Sequence, residues 1–117
     1  MARMPLPDSR RSSNVIDAAR ATREIVERRI APGLYHCVNS GCCTWLEFTR
    51  EMARCLGIAD VEARLIPVRL DQMALRAPRP KYCALSNARL AAAGIAMPAW
   101  QDGVARYLQA VRDDSAE

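Results

Sequence analysis

The chain has 117 residues, 17 basic and 13 acidic side chains, and a formal net charge of +4. Half of its residues are hydrophobic and 26% are charged, a balance typical of one folded domain, which excludes a disordered chain. No apolar stretch is long enough for a signal peptide or a membrane span, so the sequence predicts a cytoplasmic protein with no membrane contact. Sixteen arginines and one lysine supply the positive charge. They are scattered among predicted helices, often near glutamate, so nucleic acid is not an expected partner.

Helical periodicity begins after Ser13 and ends at Pro32-Gly33, so residues 13–31 are predicted to form a helix. Ser13 or Asn14 can cap its start. The alternating residues 34–38 then predict a short strand that ends in a Ser40-Gly41 turn.

A second helix is predicted from Thr44 to Gly57, because Thr44 and Glu47 have capping-box spacing. Its predicted core stripe consists of Trp45, Phe48, Met52 and Leu56. Residues 63–70 predict a second strand, with Pro67 at an edge or strand end. Residues 71–77 predict one or two helical turns.

An unusual connector follows, in which Pro78 and Pro80 bracket Arg79 and the chain's single lysine, Lys81, comes next. Proline fixes its own φ and favours extended geometry before it, so this stretch presents cations on a stiff backbone. A short helix, capped by Ser86 or Asn87, is predicted to end at Gly94. The residues of the last helix predicted to face inward are Trp100, Val104, Leu108 and Val111. Two short strands make a weak sheet, so we expect the domain to pack against another body.

The usual signatures of a dinucleotide-binding reductase are missing from the sequence. The five glycines are too far apart to form a glycine-rich phosphate turn. No tyrosine has a lysine four residues later. We therefore predict no catalytic and no cofactor-binding residue in this chain.

The five cysteines are an odd count and predict reduced thiols rather than a disulfide framework. A zinc site at His36, Cys37, Cys42 and Cys43 is a weaker alternative, since adjacent ligands differ from the paired loops that surround zinc. Buried packing residues are the simpler interpretation, and no metal site is predicted.

Three stretches together resemble the dTDP-4-dehydrorhamnose reductases and related sugar-nucleotide reductases, which are extended short-chain dehydrogenases. The first is SSNVIDAARATREIV, and the second is GLYHCVNSGCCTWLEFTREMARCLG, which resembles G-x-Y-H-x-x-N-x-G-x-x-(T/S)-W-x-E-F. The third, ALRAPRPKYCALSNARLAAAGIAMPAWQDGVARYL, resembles the closing segment of the family. Two departures are Ser12, where the family usually has proline, and Cys83, where serine is common.

The resemblance implies an α+β fold, mostly helical with two or three short strands, that corresponds to the C-terminal part of such a reductase without its Rossmann half. It implies a sugar-nucleotide-binding segment at residues 13–113, inactive alone, with flexible tails at 1–12 and 114–117. The complete family enzyme uses NADPH or NADH, and its ligand here would be a dTDP-sugar. The implied partner is a Rossmann half or a second copy. The substrate-binding residues that we predict are Arg79, Lys81, Arg76 and Ser13.

Two alternatives stay open at this point. Arg79 could grip a nucleotide diphosphate or could instead pair structurally with a carboxylate such as Asp17. The whole chain could be a non-catalytic regulatory module, since the resembled family includes a regulatory subunit of methionine adenosyltransferase, or a degenerate remnant. Whether the chain takes part in an enzyme is therefore undecided from the sequence.

Overall fold

The computed structural model describes residues 2–6 and 13–116 of the chain, and this part is mostly helical, as the sequence predicts. The elements in chain order are β1 Ala2–Leu6, α1 Val15–Glu27, α2 Trp45–Cys55, α3 Val61–Arg64, β2 Leu65–Arg69, a 3-10 turn Leu70–Gln72, α4 Ala88–Ala92 and α5 Trp100–Asp114. No helix in these two ranges is long and apolar enough to cross a membrane.

The two strands form a parallel sheet, in which Ala2 lies opposite Leu65 and Leu6 lies opposite Arg69. The predicted second strand is confirmed as β2. Its partner, β1, falls in the part of the chain where we expected a flexible tail. The rest of that expected tail, up to residue 12, lies outside the described residues.

The predicted strand at residues 34–38 is wrong, because this segment has no regular secondary structure and does not join the sheet. It leads instead into Ser40, which forms an isolated bridge with Ala99. The Ser40 amide donates to the Pro98 carbonyl at 2.8 Å, and the Trp100 amide donates to the Ser40 carbonyl at 3.0 Å. The segment is therefore held by the start of α5 rather than by a strand.

Helix α1 begins after Asn14, whose side chain accepts hydrogen bonds from the Ile16 and Asp17 amides. Of the two predicted caps, Asn14 is thus the one that the structure uses. The helix ends before the predicted stop, because Arg29 adopts a φ of 52°, in the left-handed region that ends helices.

The capping box predicted for α2 is confirmed. The Glu47 amide donates to the Thr44 hydroxyl at 3.1 Å, and the Thr44 amide donates to the Glu47 carboxylate at 2.6 Å. The predicted core stripe of α2 is only partly right. Phe48 and Met52 are half-buried, but Trp45 and Leu56 are exposed.

Helix α2 instead buries Leu46 and Ala53, so its buried face is rotated relative to the apolar stripe. The tertiary surroundings of the helix, rather than its own sequence pattern, therefore select the buried side chains.

Two clusters of buried residues form the core. The first cluster consists of Ala21, Leu90, Ile95 and Met97, and the second consists of Cys43, Trp100, Val104 and Leu108. The Phe48 ring stacks on the Trp100 ring with centroids 5.9 Å apart, which joins α2 to α5. Three of the four inward positions predicted for α5 are therefore confirmed, whereas Val111 is exposed.

Candidate functional site

The connector at residues 73–86 is exposed over most of its length and carries three of the four predicted site residues. Arg76, Arg79 and Lys81 all lie on the surface, and none of them forms an ion pair with any residue in the described ranges. No acidic residue occurs in the sequence between Asp71 and Asp102. Within residues 2–6 and 13–116, the cations of this connector therefore have no acidic partner, and they can attract an anion.

Hydrogen bonds fix the chain immediately after the connector. The Asn87 side-chain amide donates to the Val38 carbonyl and to the Ser40 hydroxyl, both at 3.0 Å. Arg89 donates to the Leu34 carbonyl at 3.2 Å and lies over the Tyr35 ring, 5.0 Å from its centroid. The end of the connector is thereby held against residues 34–40.

The fixed start of the connector lies at the 3-10 turn after β2. The Arg69 amide donates to the Gln72 side-chain oxygen at 2.9 Å. A stiff proline-containing segment that is held at both ends loses little conformational entropy when its cations bind a ligand.

Asp17, the alternative structural partner of Arg79, already has another cation. It is 4% exposed, and its Oδ2 accepts a hydrogen bond from Arg106 Nη2 at 2.6 Å. The structure therefore does not support the Asp17–Arg79 ion pair.

Asn39, which is fully buried, is the hub of a polar network beneath the start of α1. Its Nδ2 donates to Asp17 Oδ2 at 2.8 Å and to the Pro98 carbonyl at 3.2 Å, and its Oδ1 accepts from the Asn14 amide at 2.7 Å. Burial by itself would raise the pKa of Asp17, but hydrogen bonds from Arg106 and Asn39 outweigh it and lower that pKa below its ordinary value. The carboxylate is consequently charged, and its Oδ2 accepts hydrogen bonds from both Asn39 and Arg106.

An apolar groove lies between the start of α1, α2 and α5, with a volume of about 360 Å³. We call it the α1–α2–α5 groove. Its apolar lining comes from Val15, Ile16, Phe48, Met52, Val104, Tyr107 and Ala110, and the remaining lining residues are Ser13, Asn14, Gly103 and Arg106.

Ser13, the fourth predicted site residue, lines this groove and is exposed. None of the three connector cations is among the described lining residues. The structure thus places Arg76, Arg79 and Lys81 on one segment and Ser13 on a different surface feature.

The cysteines and His36 do not form a metal site among the described residues, where no group of three or more possible ligands is found. Cys42 is exposed, whereas Cys43 is buried in the second core cluster. Burial, with a smaller contribution from nearby Glu47, raises the pKa of Cys43 to about 11. That thiol is therefore a packing residue and a poor nucleophile.

Sequence reasoning assigned no role to Asn39 or Arg106. Asn39 stands in the quoted G-x-Y-H-x-x-N-x-G stretch, and its partner Asp17 stands in SSNVIDAAR. Their positions in these motifs were the sequence signal that could have identified the buried network. Nothing in the sequence indicated Arg106, which is separated from Asp17 by 89 positions.

Comparison with known proteins agrees with this architecture. Residues 9–113 match the family model described as the RmlD substrate binding domain. Spore coat polysaccharide biosynthesis protein SpsK of Bacillus subtilis is 31% identical over 102 residues, and a dTDP-4-dehydrorhamnose reductase of Mycolicibacterium smegmatis is 34% identical over 102 residues. Each alignment covers 83% of this chain, but only 35% and 31% of the respective relative. The chain thus spans about a third of the length of these relatives.

Solved structures show the same fold. A dTDP-4-dehydrorhamnose reductase from Clostridium acetobutylicum superposes with a TM-score of 0.84 at 22% identity, over 95% of this chain and 39% of that one. A dTDP-4-dehydrorhamnose reductase from Bacillus anthracis, in complex with NADP, gives 0.76 at 23% identity, over 92% and 36%. With a family model that matches nearly the whole chain, we conclude that this chain belongs to the RmlD substrate binding domain family.

Proposed function

We propose that this chain is the sugar-nucleotide-binding part of a dTDP-4-dehydrorhamnose reductase-like protein of deoxysugar biosynthesis. The observation that carries the proposal is the exposed connector, whose three cations form no ion pair with the described residues, in a chain of a substrate-binding family. A sugar nucleotide brings a diphosphate, which is the anion that such a surface attracts.

Arg79 is the central residue of the proposed site. Its planar guanidinium can donate two parallel hydrogen bonds to phosphate oxygens, which an ammonium group cannot do. Arg76 and Lys81 add positive charge on the same segment. Ser13, with an exposed hydroxyl, is proposed to bind the sugar.

The residues of this chain do not fit a nicotinamide cofactor. The two helices that have a side-chain cap, α1 and α2, are capped by Asn14 and Thr44, and neither start is glycine-rich. Thr44 is also paired with the acidic Glu47, which is unfavourable for a phosphate. We therefore propose that NADPH or NADH binds to another part of the reductase and that this chain alone has no turnover.

Calorimetric titration with dTDP-glucose tests the site, on the chain alone and on the chain assembled with the rest of a reductase. Arg79→Ala is expected to weaken binding by about 2 kcal/mol, the scale of a charge-assisted contact, and Arg79→Lys to recover part of it. Arg112→Ala is the matched control, because it removes an exposed arginine of α5 that has no ion pair within the described ranges. Unchanged affinity of Arg79→Ala, or an equal loss in the control, would refute the assignment.

A further inference from the structure

Three large apolar side chains of the α1–α2–α5 groove are strongly exposed. Val15 is 81% exposed, Ile16 is 66% exposed and Tyr107 is 60% exposed, and all three line the same groove. Exposed apolar side chains grouped in one groove offer a binding face to a partner.

Asn14 and Arg106, two polar side chains of the groove, are already used within the chain, so the groove offers a ligand a mainly apolar surface. The Asn14 side chain accepts from two amides and donates to the Gly103 carbonyl at 3.0 Å. Arg106 donates to Asp17 and, at 2.9 Å, to Asp102. Beyond the Ser13 hydroxyl, a sugar nucleotide would find few donors here, whereas apolar side chains of a protein would find a matching surface.

Two facts indicate which protein covers the groove. The chain matches only about a third of the length of its relatives, so about two thirds of such a reductase is not represented in it. The β1–β2 sheet is parallel and has only two strands, and parallel sheets are normally covered on both faces. The chain thus has the surfaces of a domain that is completed by a further body.

We propose that the α1–α2–α5 groove is the docking surface for the cofactor-binding body of the reductase, which inserts apolar side chains between Ile16 and Tyr107. This inference rests on the proposed function and adds the surface by which the two parts associate. Because Ser13 also lines the groove, the docked body lies beside the proposed sugar contact.

Co-expression provides the test. The chain is produced together with a tagged polypeptide that comprises the two thirds of the Mycolicibacterium smegmatis reductase outside the matched region, and co-purification is quantified. The groove variants are Ile16→Asp and Tyr107→Asp. The matched controls are Val26→Asp and Leu34→Asp, which alter apolar residues that are both 71% exposed and do not line the groove. All four sites are exposed, and circular dichroism of each variant is the check that it is folded.

We expect the unaltered chain and both control variants to co-purify with the tagged polypeptide. Recovery of both groove variants should fall about tenfold, which is the effect of removing a central interface residue. Failure of the unaltered chain to co-purify, or equal losses in groove and control variants, would overturn the inference. A concentration-dependent dimer of the chain alone that the groove variants abolish would also overturn it, because a second copy would then be the occupant. Docking without dTDP-glucose binding would instead contradict the proposed function and leave this interface standing.

Discussion

Asn39→Asp probes the buried network with an exchange that keeps the shape of the side chain. The substitution replaces Nδ2, which donates to Asp17 at 2.8 Å and to the Pro98 carbonyl at 3.2 Å, by a carboxylate oxygen. Two carboxylates would then lie in contact at a site that excludes water. The remaining oxygen can still accept from the Asn14 amide, so the change is confined to one side of the residue.

The magnitude follows from two bounds. Restoring the hydrogen bond to Asp17 requires the new carboxyl to hold a proton, which at pH 7 costs about 4 kcal/mol relative to a reference pKa near 3.9. If the new carboxyl stays ionised, the hydrogen bonds to Asp17 and to the Pro98 carbonyl are lost and two carboxylates repel each other. This lowers the free energy of unfolding by about 3 kcal/mol or more. We therefore expect a loss of about 3–4 kcal/mol in the free energy of unfolding, a large part of the roughly 5–15 kcal/mol of a typical domain.

The loss should depend on pH in a defined direction. Sharing one proton raises the pKa of the carboxylate pair that Asn39→Asp forms with Asp17 in the folded state. The stability that this proton provides is therefore present at low pH and is lost as pH rises through the raised pKa. Between pH 7 and pH 5 the deficit of the variant should shrink by about 2–3 kcal/mol. In the unaltered chain the pKa of Asp17 is lowered, so its contribution is constant in this window and falls only at more acidic pH.

Urea unfolding followed by tryptophan fluorescence at pH 5 and pH 7 measures both effects. Gln101→Glu is the control, because it makes the same amide-to-carboxylate exchange at an exposed position of α5 and should change stability by less than about 0.5 kcal/mol. A variant as stable as the unaltered chain at pH 7, or a deficit independent of pH, would refute the role assigned to the network.

Two further predictions concern backbone strain and thiol reactivity. Arg29 has a φ of 52°, so Arg29→Gly should raise the free energy of unfolding by about 0.5–1 kcal/mol, whereas Arg28→Gly, at a φ of −82°, should lower it. Thermal unfolding of both variants measures these changes in stability, and a destabilised Arg29→Gly variant would contradict the strain argument. Iodoacetamide at pH 8 should label exposed Cys42 before Cys43, whose raised pKa leaves about one thiol in a thousand ionised. Peptide mass mapping over time gives the order, and equal labelling rates would show that Cys43 is not protected.

The features that the sequence predicted correctly depend on contacts between near neighbours along the chain. The Thr44–Glu47 capping box joins residues three positions apart, and the inward face of α5 follows from the helical repeat. The family resemblance likewise rests on short stretches whose order and spacing can be read directly. Local geometry and motif order therefore specified the longer helices and the family, but not the short helix α3.

Only the tertiary structure decided the features that join distant parts of the chain. Asn39 reaches Asp17 across 22 positions and Arg106 reaches Asp17 across 89, and no periodic pattern encodes either pair. The strand predicted at residues 34–38 failed for the same reason, since alternation indicates an extended backbone but does not supply a partner. The buried face of α2 differs from the predicted one because burial depends on what packs against a helix. Leu46 is therefore buried, while the larger Trp45 is exposed. The sequence alone thus determined the local conformation, the family and the cationic connector, while packing determined which polar groups meet and which apolar surface is left uncovered.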